Sequence, residues 1–410
     1  MSESAATARG PRRAALAFIF VTVLLDMLSL GMIMPVLPKL VETFMGGNTA
    51  RAAEIFGVFG TAWALMQFLF SPVLGSVSDS YGRRPVVLIS NFGLGLDYVL
   101  MALAPNLWWL FAGRVISGIT AASISTGFAY ISDVTAPERR ARSFGLLGAA
   151  FGLGFILGPA LGGILGVIDP RMPFWVAAAL SLVNAMYGLL VLPESLPRER
   201  RTGFAWRRAN PIGSLRLLRL HPELSGLAVA KFLADVSHAV LPSVFVLYAS
   251  YRYQWDERAI GLTLAVVGVC ALIVQAGMIG PIVARFGERR ALMLGLIGGV
   301  IGFLVFGLAE TGLQFWIGIP ILSLWGIAGP ATNGLMTRRV GPHQQGQLQG
   351  ANSSIQGIGN MLGPFLFTLT FSYFLGAGGA LHLPGAPFLL AAVLLAAAAA
   401  LAWRATAGRG

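Results

Sequence analysis

Ionisable residues sit in this chain where charge is expensive, inside long apolar runs: Asp26, Asp97, Arg114, Lys231, Asp235 and His238. A charge at the centre of a bilayer costs roughly 2.5–3.5 kcal/mol on insertion scales, so such a residue normally faces a cavity or a partner. A carboxylate escapes that cost by taking up a proton, which is the chemistry of a proton carrier. Asp26 lies in the middle of the first run; it reads as a proton site or as a polar group fixed by a neighbouring helix terminus. Asp97 is mid-run and Arg114 comes early in the next run. They read as a static pair holding two helices together, or as a switch in which Asp97 exchanges Arg114 for a proton or a cationic substrate. Lys231, Asp235 and His238 are spaced four and three apart, which puts them on one helix face. That face is an internal ion pair with the His as a donor, or a second titrating site.

Uncharged polar residues also interrupt the runs: Gln67, Gln275, Asn333, Asn352 and Gln356. Of these and the aromatic residues, Gln67, Tyr98, Gln275 and Asn333 are the candidate substrate contacts. Phe59, Trp63, Phe128, Tyr130, Phe232 and Trp325 are further candidates for an aromatic-rich pocket. There is no nucleotide-binding loop and no HExxH, and His and Cys are too few for a metal cluster, so no cofactor is implied. A lone Cys270 inside an apolar run cannot form an intrachain disulfide.

The elements that must position these residues are helices in a membrane. Hydrophobic residues make up 56% of the chain, charged residues only 11%, and the mean hydropathy is +0.74. Every backbone group in hydrocarbon has to be paired internally, so runs of this length must be helical. We expect an all-α membrane protein of twelve transmembrane helices, near 14–40, 52–77, 86–105, 108–132, 141–167, 172–193, 223–250, 258–284, 290–309, 313–337, 346–375 and 386–403. Pro35, Pro159, Pro242, Pro330 and Pro364 fall within them and predict kinks or breaks. The net charge of +12 does not mark a nucleic-acid face, because the Arg residues gather in short connections. Counted over tails and alternate connections, Lys and Arg divide 22 to 5, which places both termini in the cytoplasm. Residues 1–13 read as a cytoplasmic tail rather than a cleaved leader. The Arg-rich connection 194–222 divides a half at 14–193 from a half at 223–404, with a short tail at 405–410. We expect a partly ordered linker there, with a short surface helix attracted to anionic lipid.

One polar turn organises the rest: Gly75-Ser-Val-Ser-Asp-Ser-Tyr-Gly-Arg-Arg-Pro85. Gly75 and Gly82 permit close approach and reversal, Asp79 can accept from helix-end N–H groups or pair with an Arg, and Arg83 and Arg84 mark the cytoplasmic side. A degraded copy stands at Gly280-Pro-Ile-Val-Ala-Arg-Phe-Gly-Glu-Arg-Arg290, and the offsets from Gly75 to Gly280 and from Gly82 to Gly287 are both 205. Pro137 and Pro342, Gly145 and Gly350, Gly158 and Gly363, and Pro159 and Pro364 keep the same offset, which points to an internal duplication. Gly154, Gly158 and Gly162 line one helix face on which a neighbouring helix can approach closely, and Pro159 adds a bend.

These motifs resemble the major facilitator transporters. Gly75, Asp79, Gly82, Arg83 and Arg84 match the family's loop between the second and third spans, with Ser80 where a basic residue is common. Arg114-Val-Ile-Ser-Gly118 resembles the fourth-span motif of proton-coupled members, with Ser117 in place of a common Gln. Gly154-Phe-Ile-Leu-Gly158-Pro159-Ala-Leu-Gly162-Gly163 resembles the fifth-span motif of drug–proton antiporters. The first half is further similar to tetracycline–proton antiporters at Asp26, Met34-Pro-Val-Leu-Pro38, Leu65-Met-Gln-Phe68, Asp97-Tyr98, Arg114 and Ala129-Tyr-Ile-Ser-Asp133. The second half matches at Gln344-Gln-Gly-Gln-Leu-Gln-Gly350. The family's eighth-span His and ninth-span Asp are replaced by Ala271 and Gly299, a departure that bears on the substrate more than on proton-driven export.

The resemblance implies a major facilitator fold of two six-helix halves that exports a drug-like or tetracycline-like small molecule from a bacterium across its inner membrane. Substrate and protons would compete in a central cavity between the halves, with Asp26, Asp97, Arg114, Asp235 and His238 coupling the two. Gly75, Asp79, Gly82, Arg83, Arg84, Gly154, Gly158, Pro159 and Gly162 would serve gating and helix packing. Expected partners are the substrate, protons and membrane lipid, with no nucleic acid; the chain reads as a functional monomer and not as an enzyme. A facilitator of a metabolite such as a sugar is the first rival, which the Gly154–Gly163 pattern disfavours. A non-transporting receptor or scaffold is the second, and intramembrane Asp and Arg argue against it.

Overall fold

The computed structural model describes residues 9–121, 124–135, 137–204, 210, 213–341, 344–376 and 382–407, and among them all regular structure is helical. The helices are α1 Arg9–Ile33, α2 Leu37–Phe44, α3 Thr49–Tyr81, α4 Arg83–Ala102, α5 Leu107–Ala121, α6 Ile124–Val134, α7 Pro137–Ile168 and α8 Met172–Val191. There follow α9 Arg216–Leu220, α10 Ser225–His238, α11 Val240–Tyr253, α12 Glu257–Ile273, α13 Ile279–Leu308, α14 Gly312–Ser323, α15 Ala328–Thr337, α16 Gln345–Leu375 and α17 Ala386–Thr406. Ten stretches of helix among the described residues are long and apolar enough to cross a membrane, and Leu107–Thr120 is a shorter apolar helix. One of the ten, Glu257–Leu308, has 52 residues. At 1.5 Å per residue that is more than twice the hydrocarbon thickness, so it cannot be a single crossing. Large apolar side chains point outward, Trp108 79% and Leu190 80% exposed, as a surface bathed in lipid tails allows.

Proline acts in two ways. α1 ends at Ile33 before Pro35, α10 gives way to α11 just before Pro242, and a 3₁₀ turn over Leu324–Ile327 precedes Pro330. Helices α7 and α16, by contrast, run through Pro159 and Pro364, and Pro72 and Pro320 also lie inside helices. The connection 194–222 holds a 3₁₀ turn at Arg198–Arg200 and the short helix α9; residues 205–209, 211 and 212 lie outside the described residues.

The chain forms two compact units. Unit 1 comprises residues up to Val36 together with Leu65–Asn210, and unit 2 comprises Leu37–Ala64 together with Pro211 onward. In unit 1, α1 packs on α7 and α8, and α4 packs on α5 and α8. Its apolar core includes Phe18, Val23, Met27, Val87, Tyr130 and Leu147. The α1–α7 contact uses the glycine face. A Cβ at Gly158 would stand 2.7 Å from the Leu28 carbonyl oxygen, and one at Gly162 would stand 2.1 Å from that of Met32. In unit 2, α10 packs on α16 and α17, and α13 on α14 and α17. There Gly359 and Gly363 meet Asp235 and Val236 of α10 and the following Ala239, with nearest distances of 2.3–3.2 Å from the position of a Cβ. Gly359 stands 205 residues after Gly154, so the duplication extends to the glycine face itself. The unit also holds an aromatic cluster, with Phe306 stacked on Phe315 at 3.9 Å and Tyr248 edge-on to Phe388 at 5.0 Å.

The two turns related by duplication share a backbone device. Gly82 has φ 110 and ψ 158, and Gly287 has φ 76 and ψ 163. This region is essentially closed to residues with a Cβ, and it reverses the chain within one residue. Gly75 has a different role from the one expected: it lies inside α3, with nothing within 4 Å of the position its Cβ would take.

Candidate functional site

In unit 1 the site is built on α1, α4 and α5. Asp97 is buried on α4, and neither of its carboxylate oxygens has a hydrogen-bond partner among the described residues. Arg114, buried on α5, donates from Nη2 to Ser117 Oγ at 3.2 Å, while its Nε is unpartnered. The expected Asp97–Arg114 ion pair is therefore not made, although Asp97 packs against the backbone beside Arg114: a Cβ on Gly113 would lie 2.9 Å from Asp97 Oδ1. Tyr98, next to Asp97 on α4, is also buried. Asp26 lines a cavity of about 20 Å³ together with Thr22, Asn91 and Gly127. One Asp26 oxygen and both amide atoms of Asn91 are buried without a partner. A space that size admits one water with polar neighbours. Asn91 escaped the sequence reading, although an Asn inside an apolar run is a visible signal.

In unit 2 a cavity of about 310 Å³ opens among α10–α17. It is large enough for a small drug-sized ligand. Lys231, Asp235 and His238 all face it, as the spacing on α10 predicted. Lys231 Nζ donates to both Asp235 oxygens, at 3.1 and 2.8 Å. The His238 ring lies 5.5 Å from that of Trp325, centroid to centroid. Gln275 faces the same cavity from a π-helical turn at Val274–Met278, a distortion that often marks functional positions. Gln356 and Ala271 also line it, with Ser323, Thr332 and Asn360, which the sequence reading did not single out. Asn333 is elsewhere: its side-chain oxygen accepts from Asn352 Nδ2 at 3.0 Å. Gln67 lies on α3 outside both cavities. Of the aromatic candidates only Trp325 lines the large cavity; Tyr98, Tyr130 and Phe59 are buried in packing.

Gly299, where the resembled family carries an acid, has a packing reason. A Cβ there would stand 2.4 Å from Leu395 Cδ2 and 3.0 Å from Trp325 Cγ. The indole that faces the cavity thus occupies the room a larger side chain would need.

The Gly75–Pro85 turn is held by a charge network in unit 1. Arg83 bridges Asp79 at 2.5 Å and Asp133 at 3.2 Å. Glu194 accepts from the backbone N–H groups of Arg83 and Arg84 at 2.9 and 3.3 Å, capping α4, and pairs with Arg201 at 3.7 Å. The helix-end acceptor expected of Asp79 is therefore Glu194. Arg84 donates to the Leu189 carbonyl at 2.7 Å. The side chains of Arg139, Arg140 and Arg142 lie outside the described residues.

Comparison with known proteins agrees with this architecture. The family model described as Major Facilitator Superfamily matches residues 19–364 and 227–407. The Escherichia coli "Tetracycline resistance protein, class C" is 38% identical over 361 residues, covering 87% of this chain and 90% of that protein. The class G protein of Vibrio anguillarum is 38% identical over 359 residues, covering 86% and 89%. The solved structure of nucleoside transporter NupG superposes with a TM-score of 0.76 at 13% identity, covering 96% of this chain and 100% of that one; that likeness is one of fold.

Proposed function

Because the chain belongs to the Major Facilitator Superfamily, a family of transporters rather than enzymes, we propose that it exports a drug-like, tetracycline-like small molecule across a bacterial inner membrane in exchange for protons. The supporting observation is the state of Asp97. A buried carboxylate whose oxygens have no partner among the described residues, beside an Arg that donates to Ser117, is poised to gain and lose a proton. The names of the relatives support the direction and the class of cargo.

On this reading Asp26 and Asp97 take up protons and Arg114 responds to their charge. Asp235 and His238 form a second coupling site, and Gln275 and Trp325 touch the substrate in the 310 Å³ cavity. Tyr98 follows Asp97 on α4 in the first unit; Gln67 and Asn333 act at a distance from the cavity, through access and through helix pairing. Divided at Gly287, the Glu257–Leu308 stretch supplies two crossings; with Leu107–Val134 counted as one crossing, the total is twelve, six in 14–193 and six in 223–404. The charge distribution supports a cytoplasmic side for both termini. Alternating access then requires gates. The Asp79–Arg83–Asp133 network is the candidate inner gate, and the Gly154, Gly158, Pro159 and Gly162 face is the packing seam of α1 on α7. A drug-susceptibility panel in a pump-deficient host tests the reading. The intact chain should raise the inhibitory concentration of at least one compound several-fold, and Asp26→Asn and Asp97→Asn should abolish that. Equal resistance in the variants would remove these acids from the mechanism.

A further inference from the structure

We propose that Lys231 is a built-in counter-ion that closes the second unit's cavity to lipophilic cations, so that the cavity takes uncharged or zwitterionic amphiphiles of drug size. The inference rests on the reading of this cavity as the substrate's.

Three observations support it. First, the titratable groups facing the cavity all come from one helix. Lys231, Asp235 and His238 project from α10, and the walls contributed by α11–α17 and the π turn bring no ionisable side chain among the described residues. Second, the one carboxylate is fully engaged. Both its oxygens accept from Lys231 Nζ. The partner is tethered one turn away on the same helix, so it competes with any free cation at a high effective concentration. Gly359 lets α16 close on this point, a Cβ there lying 3.1 Å from Asp235 Cβ, which leaves the acid little room to swing aside. Third, the rest of the lining suits a neutral guest. The side-chain amides of Gln275, Gln356 and Asn360 face the cavity and make no hydrogen bond to described residues, and Trp325 offers a flat apolar wall.

A lipophilic cation entering this space meets an aromatic wall but no free carboxylate, and an ammonium stands nearby. Among the described residues, the only counter-charge it could use is already taken by that ammonium, at both oxygens. A free anion meets an ammonium that is already neutralised. A neutral or zwitterionic molecule pays neither cost and finds amides to pair with. Lys231 is thus a specificity-determining residue, and removing it should create a cation site from Asp235 and Trp325.

The test is equilibrium binding to the purified full-length protein in detergent, with two probes of similar size and opposite charge, benzyltrimethylammonium and benzenesulfonate. The wild type should bind both weakly. Lys231→Met should bind the cation at least tenfold more tightly than the wild type, and Asp235→Asn should gain for the anion and not for the cation. The double variant Lys231→Met/Asp235→Asn should gain for neither. A wild type that binds the cation as tightly as Lys231→Met overturns the proposal, as does an Asp235→Asn protein with no gain for the anion. Monodisperse elution and a measurable melting midpoint establish folding, and because the two single variants test opposite charges, loss of one to misfolding leaves the other decisive. Binding is read without transport, so failure here leaves proton-coupled export standing, and failure of export leaves the charge selectivity readable.

Discussion

Lys231 and Asp235 form a chelated ion pair, one ammonium donating to both oxygens of one carboxylate at 3.1 and 2.8 Å, with side chains 18% and 17% exposed. Two such charges in an apolar cavity are tolerable together and costly apart. Asp235→Ala or Lys231→Met alone should lower stability by ~1–3 kcal/mol, and the double neutral variant should recover most of the loss. Melting in detergent, analysed as a double-mutant cycle, measures this. A coupling energy near zero would mean that the pair is open to solvent or to lipid headgroups.

The opposite outcome is expected at Asp97. Its oxygens are unpartnered, so Asp97→Asn removes a desolvated acid and no hydrogen bond. Expression and melting midpoint should be unchanged or raised, while coupled transport is lost. Arg114→Gln gives up the bond to Ser117 and should cost ~1 kcal/mol. The double variant should be close to additive, with a coupling energy below ~1 kcal/mol. Stronger coupling would mean that the two side chains pair in the dominant conformation in solution.

Much of this arrangement was legible in the sequence, because hydrophobic runs and spacing are local signals. The face carrying Lys231, Asp235 and His238 followed from spacings of four and three, and the second reversal at Gly287 followed from the offset of 205. What stayed hidden depends on contacts distant in sequence. Glu194 caps α4 from 111 residues beyond Arg83, and nothing near Glu194 announces it. The π turn that carries Gln275 has an ordinary helical composition, Val-Gln-Ala-Gly-Met. Gly75 and Gly82 look alike in the motif, yet one lies within a helix and the other reverses the chain. The absence of an acid at Gly299 became intelligible only once Trp325 was seen filling the space.

That contrast between glycines yields a paired prediction. Gly75→Ala meets no neighbour and should stabilise α3 by ~0.5–1 kcal/mol. Gly82→Ala places a Cβ at φ 110 and 2.2 Å from Glu194 Oε2, and should cost several times as much while also loosening the cap on Arg83 and Arg84. Thermal midpoints of the two variants should move in opposite directions, and a shared direction would refute the assignment of the turn to Gly82.

Restoring the acid at position 299 should not restore a function. Gly299→Asp drives a side chain into Leu395 and Trp325, with an expected loss of ~2–4 kcal/mol from overpacking and an unpaired polar group. Trp325→Ala in the same chain should relieve part of that loss. If Gly299→Asp alone melts like the wild type, the indole does not hold the position described.

The central claim is exchange of a small molecule for protons through Asp97, and one measurement addresses it directly. The protein is reconstituted into liposomes with an internal pH dye, an energised pH gradient is imposed, and a compound to which the intact chain confers resistance is added. Wild-type vesicles should show compound-dependent proton movement and accumulation of the compound against its gradient, and Asp97→Asn vesicles should show neither while retaining the folded protein. Accumulation by the wild type with no proton movement, or full coupling in Asp97→Asn, would contradict the account.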